Sequence, residues 1–322
     1  MSQIIRNKGP CNLDNIPEKA IGQEYRPKER ILACFPSWLL PYAELARIQQ
    51  PLGFYQITCP FIVGVAYMIT TSVFLNRVFL LSLWSIFFRS AGCAWDDIVD
   101  MDVDRQIART KVRPLPRGAV STWAACVFTV AVYASGSMFL VFLPWRCTID
   151  ALVMTFSALL YPFGKRLFDY PQLIMGNIGW AIPMAMHSLD MDPLAYPAAT
   201  SCMFLYFSVV IVMVDIIYAI QDVEEDIKVG VKSMAVRFRE SLNFVISLLF
   251  YASSILLAGA GVTAKLGIPF FILSLGGHAI RKPSSDAEQY ARFSGVVGSS
   301  FLIIGLVIEY CLRPYSIIQL LS

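Results

Sequence analysis

Two histidines in 322 residues, no Cys-x-x-Cys pair and charge on only 15% of positions set the first limits on this chain. His187 and His278 stand far apart, without the spacing of metal ligands, and read as structural or interfacial residues. The eight cysteines, Cys11, Cys34, Cys59, Cys93, Cys126, Cys147, Cys202 and Cys311, mostly lie in or beside apolar runs, where they serve as small apolar side chains. A zinc or other soft-ligand centre is thereby excluded. About a quarter of the residues of a soluble domain are charged. A charge share of 15% beside 57% hydrophobic residues excludes an ordinary soluble protein. The net charge of +3 is too small to point to nucleic acid. Residues 1–35 have no apolar core of the kind a secretory signal needs. Asp14, Glu18, Glu24 and Glu29 among their bases fit a mitochondrial transit peptide poorly. Residues 1–37 are expected to be a cytosolic tail and 38–322 a single transmembrane domain, with no low-complexity linker.

What is present is a succession of apolar runs of membrane-spanning length. Nine helices are expected, at about 51–75, 78–100, 121–143, 147–163, 172–189, 194–219, 241–263, 266–281 and 294–313, giving an all-α polytopic membrane protein. The eighth is short and glycine-rich. Loop charge sets the orientation. Arg105, Arg109, Lys111, Arg113 and Arg117 follow the second helix, Lys165 and Arg166 the fourth, and Lys228, Lys232, Arg237 and Arg239 the sixth. Arg281, Lys282 and Arg292 follow the eighth, whereas the alternate loops hold Arg77, Arg146 and Lys265 alone. The basic loops and the N-terminus are therefore expected on the cytosolic side and the C-terminus in the lumen. Insertion by the first helix suggests the endoplasmic reticulum rather than the mitochondrial inner membrane.

Against this apolar background, residues 96–104 read DDIVDMDVD. On a helix Asp96, Asp97, Asp100 and Asp104 fall within about 100° of one another, while Asp102 points elsewhere. A second cluster, DIIYAIQDVEED at 215–226, places Asp215, Asp222 and Asp226 within about 40°, with Tyr218 beside them; Glu225 is marginal and Glu224 faces away. Each carboxylate near the membrane interior costs up to about 3 kcal/mol. Two such faces make sense around a cation, and with oxygen donors alone that cation is Mg²⁺. Bases follow both clusters, in DRQIARTKVRPLPRG and DIKVGVKS. They either fix topology only or, close to a metal–carboxylate site, meet a polyanion such as a diphosphate.

Four stretches in order resemble the UbiA-type intramembrane aromatic prenyltransferases over about residues 38–310: LARIQQPLG (45–53), DDIVDMDVDRQIARTKVRPLPRG (96–118), YPFGKRLFDYPQLIMG (161–176) and DIIYAIQDVEEDIKVGVKS (215–233). The resemblance implies nine helices around a central, lipid-accessible cavity and two Mg²⁺ ions binding an isoprenoid diphosphate. By position, the metal ligands would be Asp96, Asp100 and Asp104 with Asp222 and Asp226, and Asp97 a direct or supporting alternative. Arg47, Lys111, Arg113, Lys165 and Lys232 would contact the diphosphate or an acceptor carboxylate. Asp96 departs from the family's usual Asn and adds a charge to the first motif.

The implied chemistry is loss of diphosphate, with Mg²⁺ and fixed cations stabilising the departing charge, and capture of the allylic cation by an electron-rich ring shielded from water. Asp100 and Asp222 stand at the centre of that machinery. Asp215 either assists proton loss from the ring or raises the ring's nucleophilicity, or else is a structural carboxylate bonded to Tyr218. The wording resembles 4-hydroxybenzoate polyprenyltransferases and the fungal enzymes that farnesylate aromatic polyketides in meroterpenoid pathways. The tail without transit character favours the fungal branch, with farnesyl diphosphate and a phenolic acid of orsellinic type as substrates. A ubiquinone-pathway 4-hydroxybenzoate transferase is the alternative. A cation-coupled transporter is the rival of another class, but transporter sites lie near the midplane at broken helices, and these acids sit at helix ends with bases downstream. Beyond small-molecule substrates and the lipid bilayer, no obligate protein partner is indicated. Phe54, Tyr55, Phe61 and Tyr67 either line a prenyl tunnel or pack against lipid and core.

Overall fold

In lipid the backbone must satisfy its own hydrogen bonds, and an open chain does so only as helix. The computed structural model describes residues 31–67, 73–279 and 298–312, and these form helices and turns with no strand among them. In order they are α1 (Leu40–Leu45), α2 (Pro51–Tyr67), α3 (Phe74–Val99), α4 (Met101–Asp104), α5 (Thr122–Ser137), α6 (Trp145–Leu167) and α7 (Gln172–Met175). There follow α8 (Ala181–Ser188), α9 (Pro197–Ala219), α10 (Val223–Val229), α11 (Met234–Arg237), α12 (Leu242–Thr263), α13 (Ile268–Ala279) and α14 (Ser299–Leu312).

Each of the nine expected segments holds helix, but among the described residues five are long and apolar enough to cross a bilayer: Phe74–Val99, Thr122–Phe142, Trp145–Leu167, Pro197–Val229 and Leu242–Thr263. Ile268–His278 and Ser299–Cys311 are apolar but shorter. The fifth expected segment is broken into α7, a 3₁₀ stretch Gly176–Trp180 and α8. The cause is close packing. A Cβ at Gly179 would lie 2.5 Å from the Phe204 carbonyl and 2.4 Å from Ser208 Oγ, so the chain passes directly against α9 there. The second segment starts at Phe74 rather than 78. The basic residues 281–292 and most of the expected tail lie outside the described residues.

Two apolar clusters hold the helices together. Tyr67, Tyr206, Met213, Leu257 and Phe270 join α2, α9, α12 and α13, and Phe61, Trp84, Met154 and Met184 join α2, α3, α6 and α8. A third and smaller one, Leu45, Ala94, Leu115 and Val120, ties α1 and the basic loop after α4 to the end of α3. Large apolar side chains point outward instead on α5, α6 and α12, with Val130 69%, Phe156 64% and Ile255 72% exposed, as lipid-facing positions require. Both histidines are engaged inside. His187 Nδ1 lies 2.7 Å from Asp150 Oδ2, and His278 stacks on Phe250 with its Nε2 3.0 Å from Ser253 Oγ. The cysteines of the described residues are free thiols.

Candidate active site

Asp96 and Asp97 occupy the last turn of α3, Asp100 its C-terminal cap and Asp104 the end of α4. The break at Asp100 does not scatter them. Asp100 N–H donates to the Asp96 carbonyl at 2.9 Å and Asp104 N–H to the Asp100 carbonyl at 2.8 Å, so the one-turn spacing carries through the joint. The acidic face of the first motif is thereby kept, with Asp97, Asp100 and Asp104 buried and Asp102 in solvent. The second motif likewise crosses a 3₁₀ turn, Ile220–Asp222, into α10. Gly230 (φ 82°) closes α10, its N–H bonding to the Asp226 carbonyl.

The bases arrive from other helices. Tyr161 and Lys165 are one turn apart on α6. Lys165 Nζ bridges Asp96 Oδ1 at 2.8 Å and Asp100 Oδ2 at 2.7 Å and lies 4.7 Å over the Tyr161 ring. The Tyr161 hydroxyl donates to Asp215 Oδ2 at 3.0 Å. Lys165 is also within coulombic reach of Asp215 and Asp226, so it stands between the two acidic motifs. Arg113 spans Asp97 Oδ1 (3.1 Å) and Asp104 Oδ2 (2.6 Å), and Arg47 reaches the same Asp97 oxygen at 2.5 Å. Arg47 adopts φ 60°, a left-handed conformation that costs about 1 kcal/mol and is held by that pair. Arg109 forks onto Asp222, with Nε 2.9 Å and Nη2 2.5 Å from its oxygens, and the Ala108 N–H donates to Glu225 Oε2 at 2.7 Å. Arg117 pairs with buried Glu44. The loop after α4 is thus a basic strap laid from the first motif to the second.

Charge and burial act together here. Burial, with the Asp96 charge added, pushes the Asp100 carboxyl up to about 6 against the pull of Lys165. Burial works against the charge of Arg113, but Asp97 and Asp104 outweigh it and raise the guanidinium. Asp97 is fully buried and commits one oxygen to two arginines, while its Oδ2 has no hydrogen-bond partner.

Of the residues expected from sequence, Asp96, Asp97, Asp100, Asp104, Arg47, Arg113 and Lys165 form one network, and Asp222 and Asp226 flank it. Lys111 is exposed. Lys232 turns to the end of α6, its N–H on the Lys165 carbonyl (2.8 Å) and its Nζ on the Leu167 carbonyl (3.2 Å). Sequence reasoning missed Arg109, Glu225 and Tyr161. The last was legible as the i, i+4 partner of Lys165 in YPFGK, whereas nothing in the linear order singles out Arg109 among its neighbours. Carboxylate oxygens suit a hard divalent cation. Among the described residues no three of them converge as a metal cluster, and Lys165 and Arg109 supply the positive charge on them.

The model of the UbiA prenyltransferase family matches residues 57–293. The chain is 53% identical over 308 residues to the prenyltransferase adrG of Penicillium roqueforti, covering 90% of this chain and 98% of that protein. It is 50% identical over 313 residues to the DMOA farnesyltransferase nvfB of Aspergillus novofumigatus, covering 92% and 99%. Among solved structures, a UbiA homolog from Archaeoglobus fulgidus bound to GPP and Mg²⁺ matches with a TM-score of 0.66 at 19% identity, over 84% of this chain and 99% of that one. The apo UbiA homolog from Aeropyrum pernix K1 matches with a TM-score of 0.63 at 20% identity, over 81% and 98%; these two likenesses concern the fold. A family match over well more than half of the chain, together with half identity to fungal relatives along nearly all of it, places this integral membrane protein in the UbiA prenyltransferase family.

Proposed function

We propose that this protein transfers a farnesyl group from farnesyl diphosphate to an aromatic acid of orsellinic type in fungal meroterpenoid biosynthesis, releasing diphosphate. The carrying observation is the pair of acidic motifs on α3–α4 and α9–α10 with Lys165 between them and Arg109 and Arg113 on their flanks. The farnesyltransferase name of one close relative supports the donor and the acceptor class. The chain from residue 38 onward acts as one domain with nine membrane-spanning helices, set in the endoplasmic reticulum membrane with both motifs on the cytosolic side.

Asp96, Asp100 and Asp104 with Asp222 and Asp226 would hold Mg²⁺, which supplies Lewis-acid stabilisation of the departing diphosphate. Lys165, Arg113 and Arg109 are cations beside these carboxylates that would meet the diphosphate oxygens. Asp97, tied to Arg47 and Arg113, orients both guanidinia. Asp215, aimed by the Tyr161 hydroxyl, takes the proton lost from the ring. The apolar helix interior keeps water from the allylic cation.

Membranes carrying the protein, given farnesyl diphosphate and orsellinic acid, are expected to release diphosphate and form a farnesylated acid. Stripping divalent ions with a chelator should stop both, and Mg²⁺ should restore them; full activity without added metal sinks the mechanism. Glu224 is exposed and its neighbour Glu225 anchors the strap. Glu224→Gln is therefore expected to leave turnover unchanged, and Glu225→Gln to raise the farnesyl diphosphate KM by about ten-fold, the worth of one charge-assisted hydrogen bond. Equal effects of the two changes would show that the strap contributes nothing.

A further inference from the structure

Arg89 is buried in α3 beside the site, and no part of the mechanism above uses it. It stands seven residues before Asp96, which places it on nearly the same side of the helix about 10 Å deeper in the membrane. An arginine at that depth is costly and calls for an anionic partner. Among the described residues it forms no ion pair. Its guanidinium lies 4.3 Å from the centroid of the Phe54 ring, and Nη1 is buried without a hydrogen-bond partner. A Cβ at Gly53 would lie 2.0 Å from Arg89 Nη2, so the glycine is what lets the guanidinium lie flat against α2. Gln56 stands about one turn after Gly53 on α2, and Gln49 lies in the turn that precedes α2. Gln49 Oε1 and Gln56 Nε2 are also buried without partners. Arg89 is within coulombic reach of Tyr218, so α9 as well as α2 lies near it.

Two orphaned donors and one orphaned acceptor, on and just before the first turns of α2 that carry Phe54, suit a ring that bears both a carboxylate and a hydroxyl. We infer that Arg89 and Gln56 receive the carboxylate of the aromatic acceptor, that Gln49 Oε1 accepts from one of its phenolic hydroxyls, and that the acceptor is bound as the anion. The assignment rests on the prenyl-transfer reading and adds the acceptor subsite to it. The separation of about 10 Å along α3 is long enough for the ring and the farnesyl C1 to lie between Arg89 and the acidic face.

The test uses the purified full chain and two acceptors, orsellinic acid and its methyl ester. Arg89→Met is expected to raise the KM for the acid by about 100-fold, the usual consequence of removing one partner of a buried charge pair. The KM for farnesyl diphosphate should stay within about two-fold, and the preference for acid over ester should collapse. Gln56→Leu should raise the acid KM by about ten-fold with the same selectivity. Binding read without turnover, as the rise in melting temperature with orsellinic acid, should vanish in Arg89→Met while the rise given by farnesyl diphosphate with Mg²⁺ remains. A farnesyl diphosphate KM that climbs with the acid KM, or an ester that loses as much as the acid, overturns the assignment. If Arg89→Met does not fold, Gln56→Leu and Arg89→Lys decide by the same acid-to-ester ratio. Should the wild type bind orsellinic acid but never farnesylate it, the transferase reading fails and the subsite stands; should it farnesylate the ester as well as the acid, the subsite fails and the reading stands.

Discussion

Asp100→Asn is expected to abolish turnover at every Mg²⁺ concentration, whereas Asp96→Asn should keep most of it at saturating metal and need modestly more Mg²⁺. The two carboxylates share Lys165, at 2.7 and 2.8 Å, yet they are not equivalent. Asp100 sits at the joint of α3 and α4, buried, with Asp96 and Asp104 one turn to either side. Asp96 keeps 25% of its side chain exposed. An amide oxygen still ligates a hard cation as a neutral donor. Removing the Asp96 charge also removes one of the three causes that raise Asp100, the others being burial and the Asp104 charge. Asp100 must be ionised to hold metal, so activity falls as pH drops through its pKa, about 6 in the unaltered chain. In Asp96→Asn that acid limb should move to lower pH. A Mg²⁺ titration and a pH–rate profile of both variants check this. An Asp96→Asn enzyme as inactive as Asp100→Asn would mean that the charge at 96 has become indispensable here.

Lys165→Met should lower turnover by at least about 100-fold, the loss that follows removal of a preorganised charge-stabilising group. Among the described residues its ammonium is the one group that touches both Asp96 and Asp100 and faces the Tyr161 ring, and it lies within reach of Asp226 in the second motif. Without it, buried Asp100 and quarter-exposed Asp96 face each other with no cation bonded to either, and breaking a buried pair costs up to roughly 3–5 kcal/mol. Lys165 also pulls Asp100 down. Its loss should therefore move the acid limb to higher pH, opposite in sign to Asp96→Asn. Lys165→Arg keeps the charge but not the compact bridging geometry and should recover part of the rate. A Lys165→Met enzyme with normal turnover and an unmoved acid limb would remove Lys165 from the reaction.

Part of this was fixed by local order alone. Apolar runs of bilayer length define a membrane protein whatever the packing, because lipid leaves the backbone no alternative to helix. The spacing Asp96–Asp100–Asp104 stacks carboxylates on one side for the same local reason, and it survives the joint at Asp100 since the turn-to-turn hydrogen bonds continue through it. The pairing of bases with acids was not local. Arg109, Lys111, Arg113 and Arg117 are alike in the linear order, yet one forks onto Asp222, 113 residues away, one spans Asp97 and Asp104, one holds Glu44 and Lys111 stays in solvent. That choice depends on the path of the strap over α10. The break between α7 and α8 and the seating of Arg89 on Gly53 likewise depend on how closely another helix approaches a glycine. Periodicity determines which side chains share a face; contact between faces far apart in the chain is decided by packing, and packing supplied the proposed acceptor side of this site.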